Sequence, residues 1–403
     1  MARGLHRSSR RGLPLGARLG SGNKDLPVAA VDARNRVNDS LLWSLPGVPL
    51  EKGQDRVPTR QRSSNGRSGS GGRIMTAVRF VPTPTSLIFT VLNEELAMAE
   101  FLQSIHALSE KPQEIVIVDG GSTDATMEII RGWIPPEGVR VRVVVTPGAN
   151  ISAGRNQAIE MASNPIIAVS DAGATLDQRW LERLVRPFSG TADVASGFFV
   201  SSGASFWERA IGAVITPSLS EVDGESFLPS SRSVAFRKSV WDAAGGYPEW
   251  LDYCEDLLFD LQLKKDGAVF VFVPDAIASW NARPSLRAFA KQYFRYARGD
   301  GKSGLWRRRH VARYGAYTLG LALVAAAWLN PWFLAVLLGG VAAYLAKFLR
   351  RVVRARHSLG AETARVFLLA PLIVVTGDIA KMVGYPAGLS WRSRNQQLWQ
   401  VAA

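Results

Sequence analysis

Side chains that build disulfides and zinc centres are scarce in this sequence: one cysteine, Cys254, and four histidines in 403 residues. A single thiol excludes an internal disulfide and any cysteine-cluster metal site, and scattered histidines are poor material for a zinc centre. No uninterrupted apolar region follows the basic start, which argues against a secretory signal peptide. No segment repeats at a period of about 20 to 50 residues, so a solenoid or propeller is not expected. Charge is missing from one place above all, since Tyr314 to Ala346 contains no Asp, Glu, Lys or Arg.

That run decides the character of the C-terminal part. As one helix it would reach roughly 50 Å at about 1.5 Å per residue, well beyond a hydrocarbon core of about 30 Å. Asn330 and Pro331 divide it near the middle, which predicts a transmembrane hairpin of two short helices over 312–346. WRRRHVAR (306–313) precedes the run and KFLRRVVRAR (347–356) follows it. By the positive-inside rule both ends belong in the cytoplasm, giving a multi-pass protein of the cell (inner) membrane with the domain before the run cytoplasmic. A further apolar stretch from Val366, VFLLAPLIVVTG, reads either as a third span or as an interfacial helix over 364–386. Core helices of a soluble domain are the alternative, although charge-free runs of this length are rare there.

What the chain has in excess is positive charge, +14 overall with a pI near 10.2. Residues 1–74 hold 14 Lys and Arg against 5 Asp and Glu, hence +9, leaving 14 − 9 = +5 for the rest. This Ser-, Gly- and Arg-rich segment lacks apolar periodicity and reads as a disordered basic extension. It also has features of a transit leader, while Met75 just before the first strand suggests an extension upstream of a domain complete without it. The basic flanks of the apolar run suit anionic lipid headgroups, and no aromatic-interleaved basic stripe points to nucleic acid.

From about residue 85, short apolar runs alternate with helical ones. SLIFTVLN, EIVIVDG, VRVVVTPG and IIAVSDAG read as buried strands ending in polar residues, separated by segments with apolar spacing of three and four. The alternation predicts an α/β fold with a mostly parallel sheet, helices on both faces, and ligands at the carboxyl ends of the strands. Four constellations fall there. The first is the pair of strand tips FTVLNEE and IVDGGSTD, which places Asn93, Glu94 and Asp119 side by side, with Gly120 and Gly121 admitting a ligand's close approach. Turn formation by Asp119 and capping of the next helix by Ser122 or Thr123 is an equally good account of that tip alone. The second is GANISAGRNQAI, where Ser152 is expected to cap a helix carrying Arg155, a phosphate-binding arrangement. The third is VSDAGATLDQRWL, in which Asp171 ends a strand and suits a hard divalent cation. The fourth is YCEDLLFDLQLKKDG, where Glu255 and Asp256 open a helix; they either favour its dipole or supply a base for an attacking hydroxyl. GDGKSG (299–304) is no P-loop, because Tyr296 stands where the first glycine belongs.

In this order and spacing, TVLNEE, VDGGSTD, GRN, SDAG, CED and QYFRY resemble the family 2 glycosyltransferases, inverting sugar transferases of GT-A fold, over about residues 84–300. With the apolar C-terminal part, the chain is similar to membrane-associated bacterial polysaccharide or glycolipid transferases of that family. The resemblance implies that Asn93, Glu94, Asp119, Gly121 and Asp124 hold the nucleotide of a UDP- or GDP-sugar with Arg155 near it. It further implies that Asp171 binds a divalent cation (Mg2+ or Mn2+), that Asp256 is the base assisted by Glu255, and that Gln292, Arg295 and Tyr296 lie near the diphosphate and a lipid-linked or saccharide acceptor. Two departures stand out: Gly173 replaces the second acid of the family's DxD, and Tyr296 replaces the tryptophan of its QxxRW element, which favours transfer of single sugars over processive synthesis. Rival readings are a polyisoprenyl-phosphate sugar transferase, a sugar-phosphate nucleotidyltransferase and a non-catalytic membrane scaffold.

Overall fold

The structure is a computed structural model and describes residues 83–400; the expected basic extension, 1–74, lies outside them. The chain runs β1 (Thr85–Val91), α1 (Glu95–Ala107), β2 (Glu114–Asp119), α2 (Thr126–Gly132), β3 (Arg140–Val145), α3 (Ile151–Met161), β4 (Ile166–Val169), β5 (Ala174–Leu176), α4 (Trp180–Val185), β6 (Val194–Ser202) and α5 (Phe206–Ile215). It continues through β7 (Val234–Arg237), α6 (Lys238–Ala243), α7 (Glu255–Lys265), β8 (Phe270–Asn281) and α8 (Leu286–Ser303). Five helices complete it: α9 (Arg307–Ala326), α10 (Trp332–Arg354), α11 (Arg356–Leu359), α12 (Thr363–Arg394) and α13 (Gln396–Gln400).

All eight strands form one sheet in the order β3-β2-β1-β4-β7-β6-β8-β5. The β3-β2-β1-β4 portion is parallel throughout, and β6 pairs parallel with β8. By contrast β7 runs antiparallel to both β4 and β6, and β5 antiparallel to β8. Strands covered on both faces read as apolar runs, as IIAV and the LIF at the centre of TSLIFTV do. Successive side chains of β1 face opposite ways, so Leu87 and Phe89 enter a core with Phe101 of α1 and Trp180 of α4. Ile88 enters another with Ile159 of α3 and Phe259 of α7.

A third core joins the sheet domain to the C-terminal helices through α5, α8, α10 and α12. Glycines permit the closest part of that contact. A Cβ added at Gly384 would collide with the backbone of Phe294, and one at Gly388 with that of Arg298. The two backbones touch where side chains would hold them apart.

The expected break at Asn330 and Pro331 is present, with the Asn330 Oδ1 accepting from the Trp332 N–H at 2.9 Å. Helix boundaries differ from the hydropathy pattern: α9 begins with three arginines at 307–309, and α10 runs on to Arg354. The stretch after Val366 lies in one helix of 32 residues that passes through Pro371 and Pro386. By length and composition, Trp332–Arg354 and Arg356–Arg394 are apolar enough to cross a membrane. GDGKSG forms the last turn of α8, closed by Gly304 in the left-handed conformation.

Candidate active site

The first strand tips meet through side chains. Val91 and Asp119 are register partners across β1 and β2. Beyond them Asn93 adopts a left-handed backbone (φ 56°), tolerable for Asn, and turns its Oδ1 to accept from the Thr123 N–H at 2.9 Å. The Asn93 N–H donates to Ser122 Oγ at 2.9 Å, and the Glu94 N–H to Thr126 Oγ1 at 2.8 Å. Fully buried, Asp119 accepts from the N–H groups of Gly121 and Ser122, each at 3.0 Å. Gly121 has φ 97°, and a Cβ there would stand 3.1 Å from Pro147 Cα, so only glycine closes this turn without strain.

Two expected caps are replaced by others. Neither Ser122 nor Thr123 caps α2; the Asp124 carboxylate accepts from the Thr126 N–H at 3.0 Å and from the Glu95 N–H at 3.2 Å, tying the starts of α1 and α2 together. Burial works against its charge, but the Thr126 bonds hold its carboxyl below the usual range. Ser152 does not cap α3 either: Asn150 does, accepting from the Ala153 N–H at 2.9 Å, while Ser152 is buried in the first turn and donates to the Leu251 carbonyl at 3.3 Å. An Asx side chain two residues earlier reaches the orphan donors better than the serine already inside the turn.

The other three constellations converge on one guanidinium. Arg155, on α3 and 2% exposed, donates from Nη1 to Glu255 Oε1 at 2.7 Å and from Nη2 to Asp171 Oδ1 at 2.9 Å. It also lies 5.4 Å from the ring centre of Tyr247. Burial works against its charge, but the carboxylates of Glu255 and Asp171 keep its pKa above the ordinary value. Glu255 is itself buried, and burial together with Asp256 beside it raises its pKa despite Arg155. Both acids begin α7, after Cys254 in a left-handed turn (φ 66°), and Asp256 Oδ1 accepts from the Leu257 N–H at 2.8 Å.

A cleft of about 330 Å³ opens over this cluster. Its walls include Arg155, Asp171, Glu255, Asp256, Arg232 and Tyr296. Asn93, Asp119, Gly121 and Asp124 lie outside that lining, at the neighbouring strand tips. Glu94 links the two areas, because burial and the charge of Asp171 raise its pKa. A Cβ added at Gly173 would meet only Glu94 Oε2, 3.8 Å away, so the position of the absent second acid faces Glu94. On α8, Gln292 and Arg295 stand behind the cleft lining and bond to residues that are in it: Gln292 to the Tyr296 hydroxyl at 2.9 Å, and Arg295, as donor, to the Tyr253 hydroxyl at 2.8 Å.

Residues 86–230 match the family model for glycosyl transferase family 2, a span that holds both strand tips, Arg155 and Asp171. The chain is a family 2 glycosyltransferase. It is 26% identical over 272 residues to the glycosyltransferase AglE of Haloferax volcanii, covering 66% of this chain and 85% of that one. Identity is also 26% over 245 residues to the succinoglycan biosynthesis protein ExoA of Rhizobium meliloti, covering 58% and 74%. Among solved structures it is similar to the mannosyltransferase PcManGT from Pyrobaculum calidifontis in complex with GDP-Man and Mn2+, at 17% identity and a TM-score of 0.45 over 79% of this chain and 90% of that one.

Two basic residues of the transferase escape sequence reasoning. Arg232 Nε lies 3.8 Å from Asp171 Oδ2, and its guanidinium 4.7 Å from the ring centre of Trp280. The register explains it: Val169 pairs with Val234 across an antiparallel contact, so the residue two before β7 meets the residue two after β4. Reading the sheet as parallel hides that neighbour. The second, Arg283, two residues beyond β8, is a hydrogen-bond partner for Gln292 at 3.2 Å once the amide is turned to accept. A basic residue just after a long strand was its only signal.

Among the described residues no group of three or more His, Cys, Asp or Glu is placed to hold a metal ion. A cage made by protein alone is therefore not offered. One carboxylate with substrate phosphates and water is a common way to hold Mg2+, and the half-exposed Asp171 fits that role.

Proposed function

We propose that the transferase moves a single sugar from a nucleotide-sugar, a UDP- or GDP-sugar, to a membrane-associated acceptor, with inversion, at the cytoplasmic face of the membrane. The observation that carries this reading is the joining of α3, β4 and α7 by Arg155, which sets Asp256 and Asp171 on the walls of one cleft.

In the reaction Asp256 takes the proton of an acceptor hydroxyl as its oxygen attacks the anomeric carbon. The bond from that carbon to the diphosphate oxygen breaks, and the electron pair leaves with the nucleoside diphosphate. Arg155 and Arg232 bring positive charge to the side where the leaving group gathers negative charge. Glu255 acts through Arg155, fixing its guanidinium between two carboxylates. A divalent cation held by Asp171 would neutralise charge on the diphosphate. The strand-tip residues Asn93, Glu94, Asp119 and Gly121 shape the base and ribose end, with Asp124 holding the loop.

Membrane association rests on the two long apolar helices and their basic flanks. It suits synthesis of an envelope polysaccharide or glycolipid. General-base assistance is worth about a hundredfold to ten-thousandfold. Asp256→Asn should lose that much turnover in a nucleoside diphosphate release assay while still binding nucleotide by calorimetry. Full activity in this variant would remove Asp256 from the mechanism.

A further inference from the structure

The segment between α6 and α7 delivers Glu255 and Asp256, and it is held from two sides. On one side α3 grips it: Asn150 Nδ2 donates to the Glu249 carbonyl at 2.6 Å, and Asn156 Nδ2 to the Tyr247 carbonyl at 2.9 Å. The other side rests on α8 and on the last turns of α12. Every residue from Asp252 to Asp256 lines the cleft, so whatever seats this segment also sets the wall that carries the base.

Spacing on the two helices explains how the end of α12 comes to lie there. A Cβ at Gly384 would strike the Phe294 backbone, one at Gly388 the Arg298 carbonyl, and Arg392 Nη1 donates to the Lys302 carbonyl at 2.8 Å. Both helices advance by four at each step, along the row of positions that shares one side, so they run parallel with their backbones in contact. Trp391 is thereby carried alongside Lys302, whose ammonium lies 4.5 Å from the centre of its ring. The Trp391 ring also stacks on Trp250, with centres 6.0 Å apart and planes 8° from parallel. Lys302, 7% exposed, donates to Asp252 Oδ1 at 2.6 Å, and Arg298 donates to Asp252 Oδ2. Burial works against the charge of Asp252, but Lys302 and Arg298 hold its carboxyl below the usual range. At Gly299 the segment touches α8 itself: a Cβ there would stand 2.5 Å from the Tyr253 carbonyl oxygen and 2.9 Å from Cys254 Sγ.

We propose that Trp391 and Asp252 are positioning residues for sugar transfer, acting through the 247–254 segment to hold Asp256 in place on the cleft wall. The inference rests on the transferase reading above and adds the end of α12 to its working parts. Neither side chain takes part in the bond changes. A base must stay within about 2.6–3.2 Å of the hydroxyl it deprotonates, and stacked indoles with a half-buried ion pair resist the drift that would lose that distance. The nucleotide end is built from the tips of β1 and β2, so loss of the seat should affect turnover and spare nucleotide binding.

The test uses the full chain in detergent and has two readouts. Trp391→Ala and Asp252→Asn should each lower kcat for nucleoside diphosphate release by up to about a hundredfold, the cost of a small misplacement, with GDP or UDP affinity by calorimetry unchanged. Trp391→Phe keeps an aromatic face for Trp250 and Lys302 and should recover most of the loss. Hydrogen exchange read by mass spectrometry, which needs no turnover, should quicken from Leu251 to Leu257 in Trp391→Ala and Asp252→Asn and stay unchanged in β2. Unchanged kcat in both variants would overturn the proposal. So would faster exchange throughout the sheet together with weakened nucleotide binding, the pattern of a general loss of stability. Absence of transfer by the unaltered chain with every donor tried would strike the transferase reading instead, and the exchange measurement would still decide whether α12 seats the segment.

Discussion

Two buried charge clusters are built on inverse plans. At the strand ends one donor, Arg155, is shared by two acids, Asp171 and Glu255, with a third acid, Asp256, beside them. Between the C-terminal helices one acid, Asp378, accepts from Arg313 and Tyr317 of α9 and Tyr344 of α10. The second cluster meets its one acid with donors from neighbouring helices, so it can clamp three helices together. The first is short of positive charge, and a proton, a cation or a cationic transition state would relieve it. Donors gathered on one acid mark a clamp; a deficit of positive charge marks chemistry.

Substitutions sharpen that contrast. Arg155→Met should have the largest effect, because it strands Glu255 in the interior: a loss of about 3–5 kcal/mol in thermal unfolding, together with loss of sugar transfer. Asp378→Ala should cost a comparable or slightly smaller amount of stability by stranding Arg313, yet leave nucleotide affinity by calorimetry unchanged. If nucleotide binding fell in proportion to stability in Asp378→Ala, the division between clamp and site would fail. Gly384→Ala tests the seam between α8 and α12 by inserting a methyl group against the Phe294 backbone, with an expected loss of about 1–3 kcal/mol.

The smallest effect is one of pH. Burial and Asp256 raise the pKa of Glu255, so the folded chain holds that proton more tightly than the unfolded one. Stability should therefore decline as pH rises above the ordinary carboxylate value of 4.5 through the raised one. Glu114 has the opposite sign. Burial notwithstanding, bonds from Ser163 and Ser86 lower its pKa, so its contribution is present above 4.5 and is lost as pH falls through the lowered value. Glu255→Gln should flatten the upper slope of a melting temperature against pH curve, and Glu114→Gln the lower. An unchanged upper slope in the first variant would remove Glu255 as its source.

The half of the domain built from β1 to β4 was legible in the sequence because its strands are covered on both faces and end in polar tips. Caps were harder to read. Ser122, Thr123 and Ser152 carry the right hydroxyls, but Asp124 and Asn150 sit where an oxygen reaches the unpaired N–H groups. What stayed hidden depends on strand direction and distant pairing. Arg232 reaches Asp171 only because β7 runs backwards beside β4, and Glu255 reaches Arg155 across a hundred positions of chain. Hydropathy alone also missed that the helix after Val366 packs against α8 as well as being long enough to span.

The glycine seam has a mechanical meaning. With backbone against backbone at Gly384 and Gly388, α8 and α12 cannot slide past each other without breaking van der Waals contact, so they tilt as one lever. One arm of that lever is α12 itself, apolar and long enough to cross a membrane. The other arm carries Tyr296 into the cleft. A tilt of α12 against the sheet is thereby a displacement of Tyr296 as well.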